Sequence, residues 1–502
     1  MSDVQRHAYF FSYLWILHEF QSETDSEVIV HLLDYYYDGN MLEAMKKTVN
    51  QLEGSFAICV LSTDEPDTVY VAKTASPMVL GKSENGTFAA SDIPAILEYT
   101  KDVLILEDGQ MAKLTPNEIS VYTFHCEPVE AKWTHIPYDI EAAQKGGYDT
   151  FMLKEIYEQP EAIRETLRGR IEKGEIHLED LEKLDFTKIN RVYFVACGTA
   201  WHAGIYANTL FQKWIDVPSI CVAASEFRYS DPHVDDKTLC VYISQSGETA
   251  DTLAALKMSK EKGAQTISIV NVLGSSIARA SDVTLYTCAG PEIAVASTKA
   301  FTTQLALVTL LILKIAELRG TDVACKAELL EGLKRMPEVV SAMLDKHELM
   351  KEYAGFLKNQ QDAYFIGRQL DYVSVLEGAL KLKEVSYVHA DAYFAGELKH
   401  GAIALIEKDT VVIAMATQPE VAAKTISNIE ETMARGANVI LITTKDQPAP
   451  KFKYVIRIPD VHPLLAVIPV TILLQLFAYY AAVEKGRDVD KPRNLAKSVT
   501  VE

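Results

Sequence analysis

From residue 190 onward, short continuous apolar runs alternate with stretches of helical periodicity. Runs at 192–196, 239–243, 266–270 and 283–287 read as strands. A helix is predicted to begin near Thr249, and a long one after Thr298. Strand followed by helix, repeated, predicts βαβ units and a parallel sheet. The same order returns at 363–366, 411–414, 438–443 and 454–458, followed by a helix after Pro463. Corresponding strands are offset by roughly 170 residues, far beyond solenoid periods, so the pattern is a duplicated domain. Between the copies, 320–359 is rich in Lys, Glu, Leu and Met at helical spacing and reads as connecting helices. Upstream, 28–33, 55–61, 68–72 and 88–91 read as a small α+β region with more strands than helices. Residues 139–173 are charged, mostly helical, and look like a hinge.

A chain of 502 residues is too long for one compact domain. The expected plan is an unmatched segment 1–21, an α+β domain 22–130, linker helices 131–186 and a first α/β domain 187–320. Connecting helices 321–354, a second α/β domain 355–490 and a tail 491–502 follow. Two apolar stretches, 302–318 and 464–483, occupy matching places in the two copies. The second is long enough to span a bilayer, yet Pro469 and Gln475 interrupt it, so both are expected to be core helices. Residues 8–17 are apolar, but a thin basic flank and the lack of a small-residue cleavage site argue against a signal peptide.

Composition narrows the function. Hydrophobic residues make up 48% and charged residues 24%, as in soluble globular proteins. A net charge of -20 argues against nucleic acid and against membrane as partners. An acidic chain that binds a phosphate must therefore hold it locally, with backbone N–H groups and hydroxyls. Seven cysteines are scattered without paired spacing, which predicts a reduced, cytoplasmic setting. No metal and no cofactor are expected.

The strongest local signal is Ser244-Gln245-Ser246-Gly247-Glu248-Thr249, between a strand and a helix. Free N–H groups and the helix dipole favour an anion at such a turn, and Gly247 permits close approach. The simpler reading is that Ser246 or Thr249 merely caps the helix. Three hydroxyls beside a glycine shift the balance to phosphate. Val295-Ala296-Ser297-Thr298-Lys299 could close the same crevice, and Cys197-Gly198-Thr199 follows the first strand at the carboxyl edge where open parallel sheets bind ligands. The matching turn of the second copy, Thr417-Gln418-Pro419-Glu420, lacks the serines and the glycine. One sugar site per chain is predicted.

Glu377, Lys381 and Glu384 share one helical face at i, i+4 and i+7. Spacing alone favours a solvated salt-bridge face. A carboxylate beside a cation could instead shuttle a proton between neighbouring carbons if that face met the crevice. His400, within Gly396-Glu397-Leu398-Lys399-His400-Gly401, is unremarkable alone, and the basic ending Pro492–Ser498 reads first as a solvated tail. A desolvated lysine there, Lys497, could form a Schiff base with a carbonyl.

Together these residues resemble the glutamine–fructose-6-phosphate aminotransferase (isomerizing) family, the glucosamine-6-phosphate synthases. The resemblance rests on Ala196–Thr199, Ser244–Thr249, Ala296–Phe301, Glu377–Glu384, Gly396–Gly401 and Pro492–Glu502, and spans residues 22–502. It implies two tandem sugar isomerase (SIS) domains with helix-flanked parallel sheets, behind a partial α+β glutaminase domain of the N-terminal-nucleophile type. It implies that Ser244, Gln245, Ser246 and Thr249 hold the phosphate of fructose 6-phosphate. Cys197, Gly198, Thr199, Val295 and Ser297 would line the sugar. His400 would open the ring from across a homodimer interface. Lys497 would form the Schiff base at C2, and Glu384 would move the C1–C2 proton, assisted by Lys381 and Glu377. The expected product is glucosamine 6-phosphate.

The front of the chain departs from the family. It begins Met1-Ser2-Asp3, without the N-terminal cysteine nucleophile, the Arg-Trp glutamine loop or the oxyanion Asn-Gly segment. Asp25 matches the residue that holds the glutamine α-amino group. Glutamine is the family's nitrogen donor, but ammonia alone is expected to serve this chain. Competing readings are a phosphohexose isomerase or deglycase without amination, and a sugar-phosphate-binding regulator without turnover.

Overall fold

The structure is a computed structural model that describes residues 20–22, 24, 26–93, 95–136 and 144–499. These fall into two units, one ending at residue 136 and the other starting at residue 144.

In the first unit, helices Glu27–Tyr36 and Met41–Val49 accompany two antiparallel sheets. Segment 28–33 lies inside the first helix, and Asn40 caps the second by accepting the N–H groups of Leu42 and Glu43. One sheet runs Phe56–Leu61, Val69–Thr74, Gln110–Thr115, Glu118–Thr123, Pro128–Val129 in spatial order. The other runs Gly86–Ala90, Val79–Ser83, Asp102–Ile105, Trp133–His135. The α+β character predicted for this region is present. Asp25 lies outside the described residues.

The second unit opens with helices α1 (Phe151–Tyr157) and α2 (Gln159–Leu167). Met152, Ile156 and Ile163 on these helices are fully buried, so part of the region read as a hinge is core. The first α/β domain follows: β1 (Arg191–Ala196), α3 (Gly198–Trp214), β2 (Ser219–Ala223), β3 (Thr238–Ser244), α4 (Ala250–Glu261), β4 (Gln265–Val270), β5 (Val283–Tyr286) and α5 (Lys299–Leu318). Helices α6 (Lys326–Lys334), α7 (Met336–Leu344) and α8 (His347–Ala354) form the connection predicted from their composition. The second domain contains β6 (Asp362–Gly367), α9 (Asp371–Ser386), β7 (His389–Phe394), β8 (Val411–Ala416), α10 (Ala422–Met433), β9 (Asn438–Thr444), β10 (Tyr454–Ile458) and α11 (Val467–Glu484).

Both sheets are parallel throughout, in the orders β2-β1-β3-β4-β5 and β7-β6-β8-β9-β10. The duplication inferred from strand spacing is therefore a duplication of topology. Central strands such as β3 and β8 are buried along their whole length, which is why they read as continuous apolar runs.

Helices α5 and α11 are the two helices long and apolar enough to cross a membrane among the described residues. Both lie in the core. Gln475, which interrupts the second apolar run, is buried and accepts a hydrogen bond from Gln159 (2.7 Å) while donating to the carbonyl of Thr298 (3.2 Å). Helix α9 packs on α11 and also on α3 of the first domain. Its approach depends on Gly378, where an added Cβ would lie 2.8 Å from Leu474 and 2.9 Å from Phe365.

Candidate active site

Strand β3 ends at Ser244, and the chain turns through five residues into α4. The Ser244 hydroxyl accepts the N–H of Gly247 (3.0 Å) and pairs with the hydroxyl of Thr249 (3.0 Å). Gly247 has φ +67°, and a Cβ there would lie 2.0 Å from Ser275 Oγ. Only glycine fits this turn. Thr249 occupies the N-cap position of α4, but its side chain makes no capping bond. The simple capping reading therefore fails for Thr249. Its hydroxyl and that of Ser244 cluster beside the positive end of a 12-residue helix. The carbonyl of Gln245 accepts the N–H of Asn271 (3.1 Å), tying the loop to the neighbouring strand end.

The matching turn of the second domain is arranged differently. There the carboxylate of Asp371, on α9, accepts both the N–H (2.9 Å) and the hydroxyl of Thr417. An internal carboxylate already occupies the donors at this strand end. Burial pushes the pKa of Asp371 up to about 6, against the hydrogen bonds that lower it.

The α9 face overturns the reading favoured by spacing. Glu377 and Lys381 are each 1% exposed, so this is no solvated salt-bridge row. Glu377 accepts hydrogen bonds from Thr199 Oγ1 (3.1 Å) and from the ring of His202 (2.7 Å), both on α3. Lys381 Nζ lies 3.6 Å from Glu377 and donates to Glu384. Burial raises the Glu377 pKa, but the Lys381 charge and the His202 bond outweigh it and hold the carboxyl below its ordinary value. Burial likewise opposes the charge of Lys381, and Glu384 and Glu377 overcome it, raising its pKa. The pair is thus locked in its charged form. Glu384, with a side chain 22% exposed, is the member open to a ligand.

The tail is docked. Lys497 Nζ donates to Glu292 Oε2 (2.7 Å) and to the carbonyl of Ala294 (2.8 Å). Ser498 Oγ lies 3.1 Å from Ser246 Oγ, and the carbonyl of Val499 accepts the N–H of Ala250 at the start of α4 (3.1 Å). The carbonyl of Asp490 accepts the N–H of Val295 (3.0 Å), and its carboxylate caps α1 through Phe151 and Met152. The tail therefore bridges the turn 244–249 and the 292–295 segment.

Glu292 escaped the sequence reading, although it stands just before the segment Val295–Lys299 that was suspected of closing the crevice. It is fully buried and accepts from Ser297 Oγ (3.1 Å), Thr298 N (2.8 Å) and Ala300 N (3.0 Å). Burial raises its pKa, but Lys497 more than offsets this, and the carboxylate stays ionised. His202 was missed as well. Its only local signal is its place one turn after Thr199.

Of the predicted site residues, Thr199, Glu377, Lys381 and Glu384 form one bonded network, and Ser297 and Lys497 another around Glu292. Lys381 also feels the Glu292 charge. Cys197 occupies the N-cap position of α3 without a side-chain capping bond, its thiol 3.8 Å from Thr252, and Gly198 takes a left-handed φ of +55°. His400 stands apart on an exposed turn, Glu397–His400, with no hydrogen bond or ion pair to either network.

A hydroxyl-lined turn at a helix start, a buried carboxylate–lysine helix face and a docked lysine tail lie in a protein of two parallel-sheet α/β domains. The SIS domain family matches residues 185–314 and 356–485, and the glutamine amidotransferase domain family matches residues 12–98. The chain is 48% identical over 491 residues to the glutamine–fructose-6-phosphate aminotransferase [isomerizing] of Clostridium acetobutylicum, covering 97% of this chain and 81% of that protein. It is 45% identical to the protein of the same name from Thermus thermophilus, again covering 97% and 81%. Its structure resembles the C-terminal domain of glucosamine-fructose-6-phosphate aminotransferase from Francisella tularensis, with TM-score 0.67 and 42% identity over 70% of this chain and all of that one. A glucosamine-6-phosphate deaminase from Thermotoga maritima shares the fold at 22% identity and TM-score 0.56 over 70% of this chain and 99% of that one. The chain belongs to the glutamine–fructose-6-phosphate aminotransferase (isomerizing) family.

Proposed function

We propose that this chain converts D-fructose 6-phosphate to D-glucosamine 6-phosphate, with nitrogen entering as ammonia, supplied directly or from glutamine. The observation that carries the reading is the docking of Lys497 beside the phosphate turn, because plain aldose–ketose isomerisation needs no tail lysine. The phosphate rests on Ser244, Gln245, Ser246 and Thr249, and the sugar lies along Cys197, Gly198, Thr199, Val295 and Ser297. Lys497 Nζ attacks C2 of the open-chain ketose, and the carbonyl oxygen leaves as water. Ammonia replaces the lysine at C2. Glu384 then takes a proton from C1 and returns it to C2, which leaves the amine on C2 and the aldehyde at C1. Lys381, itself held by Glu377, keeps Glu384 oriented.

Ring opening falls to His400. Its position on an exposed turn outside both networks supports a homodimer in which a second copy of the chain brings this histidine to the site. The seven cysteines, all unpaired, fit a cytoplasmic setting.

The test is direct. The purified chain is incubated with fructose 6-phosphate and an ammonium salt, and products are separated by mass spectrometry. Glucosamine 6-phosphate is the expected product. Glucose 6-phosphate alone would show isomerisation without amination and overturn the proposal.

A further inference from the structure

Glu155 stands on α1, outside both parallel sheets, and none of the roles above uses it. Its Oε1 accepts the backbone N–H groups of Ile293 and Ala294, the latter at 3.1 Å. These residues belong to the strap whose Glu292 carboxylate and Ala294 carbonyl receive Lys497. The second oxygen, Oε2, is buried without a hydrogen-bond partner, and the residue is 1% exposed. A carboxylate placed this way is poorly solvated when ionised and far better tolerated when protonated.

Electrostatics point the same way. Burial first, and then the charge of Glu292, push the Glu155 pKa up to about 8, against the opposing pull of Lys497 and Lys299. Glu292 from the strap, Lys497 from the tail and Lys299 from α5 are the charges that act on it. Glu292 is driven the other way and stays ionised. At neutral pH the two carboxyl groups carry one negative charge between them, a pattern of two acids pushed apart by their surroundings.

We propose that Glu155 is a positioning residue for Lys497: as a neutral carboxyl it anchors the strap through Ile293 and Ala294 and leaves the lysine facing one carboxylate instead of two. The proposal rests on the reading that Lys497 forms the imine at C2. That step requires the lysine to shed a proton before its nitrogen bonds to carbon. Each additional anion beside the ammonium favours the charged, unreactive form. A neutral carboxyl supplies the anchoring without the second anion.

The experiment compares Glu155→Gln, which keeps an acceptor oxygen and cannot ionise, with Glu155→Ala, which removes the anchor. Turnover of fructose 6-phosphate with an ammonium salt is measured from about pH 6.5 to about pH 9. In parallel, the imine is trapped with borohydride and located by peptide mass spectrometry. Glu155→Ala should lower kcat and the trapping rate at Lys497 by about 10- to 100-fold, the usual range for a lost supporting contact, with KM nearly unchanged. Glu155→Gln should stay within about 3-fold of the parent at pH 7, and its kcat relative to the parent should climb above pH 8 as the parent's Glu155 ionises. A Gln-to-parent ratio flat across the pH range, or trapping in folded Glu155→Ala at the parent rate, overturns the proposal. If the alanine variant does not fold, the glutamine pH ratio decides alone. Failure to trap the parent protein at Lys497 would instead strike the imine reading itself, and this inference with it.

Discussion

Lys497 Nζ lies 2.7 Å from Glu292 Oε2, although 205 residues separate them along the chain. The contact closes the tail onto a carboxylate with no exposure of its own, so the lysine is held at the site before any ligand arrives. Replacing Lys497 by Met should lower amination turnover by roughly three orders of magnitude, the scale seen when a covalent nucleophile is removed. Fructose 6-phosphate should still raise the melting temperature of the variant, because the phosphate turn is intact. Turnover within tenfold of the parent would exclude Lys497 as the imine-forming group.

Gly247→Ala tests the turn. Its φ of +67° and the 2.0 Å approach of a Cβ to Ser275 Oγ leave no room for a side chain. Strain of about 1–3 kcal/mol at such a position corresponds to roughly 5- to 150-fold in affinity, which should appear as a raised KM for fructose 6-phosphate. Borohydride trapping of Lys497 at saturating sugar should persist.

His202→Ala removes the buried donor 2.7 Å from Glu377. The stranded carboxylate should cost about 3 kcal/mol of stability, read from the denaturant midpoint at unchanged m-value. Turnover should fall too, because Glu377 fixes Lys381 and through it Glu384. An unchanged midpoint would mean that Thr199 and Lys381 suffice to hold Glu377.

Asp371 predicts a pH dependence. Its folded pKa of about 6 stands above the ordinary 3.8, so the folded state binds the proton more tightly than the unfolded chain. The stability from this protonated form is complete below about pH 4 and is lost as pH rises through about 6, amounting to roughly 3 kcal/mol. Asp371→Asn should flatten this part of the stability–pH curve, measured by chemical denaturation at fixed salt. A slope unchanged by the substitution would contradict the shifted aspartate.

Features specified over a few adjacent residues were legible in the chain. Four strands of each domain and the connecting helices lie where periodicity placed them, because a buried parallel strand must be apolar along its length, whereas the edge strands Ser219–Ala223 and His389–Phe394, only partly buried, were not read. The turn 244–249 announced itself through three hydroxyls and a glycine within six residues, and Gln475 through a polar residue in an apolar helix. Spacing misjudged α9, because i, i+4 and i+7 place Glu377, Lys381 and Glu384 on one face without saying what covers it. The cover is α3 of the first domain, whose Thr199 and His202 bond Glu377.

The sequence by itself determined the duplicated α/β architecture, the hydroxyl-rich turn 244–249 and the list of groups able to move a proton or attack a carbonyl. Tertiary structure alone decided which of them carry charge and which face one another. Glu292 is ionised because Lys497 reaches it from the far end of the chain, and Glu155 holds its proton because it is buried beside Glu292. Asp371 occupies the donors of the second domain's turn for the same kind of reason. Protonation in a folded protein is set by burial and by charges brought together across long loops, and neither quantity exists until the chain has packed.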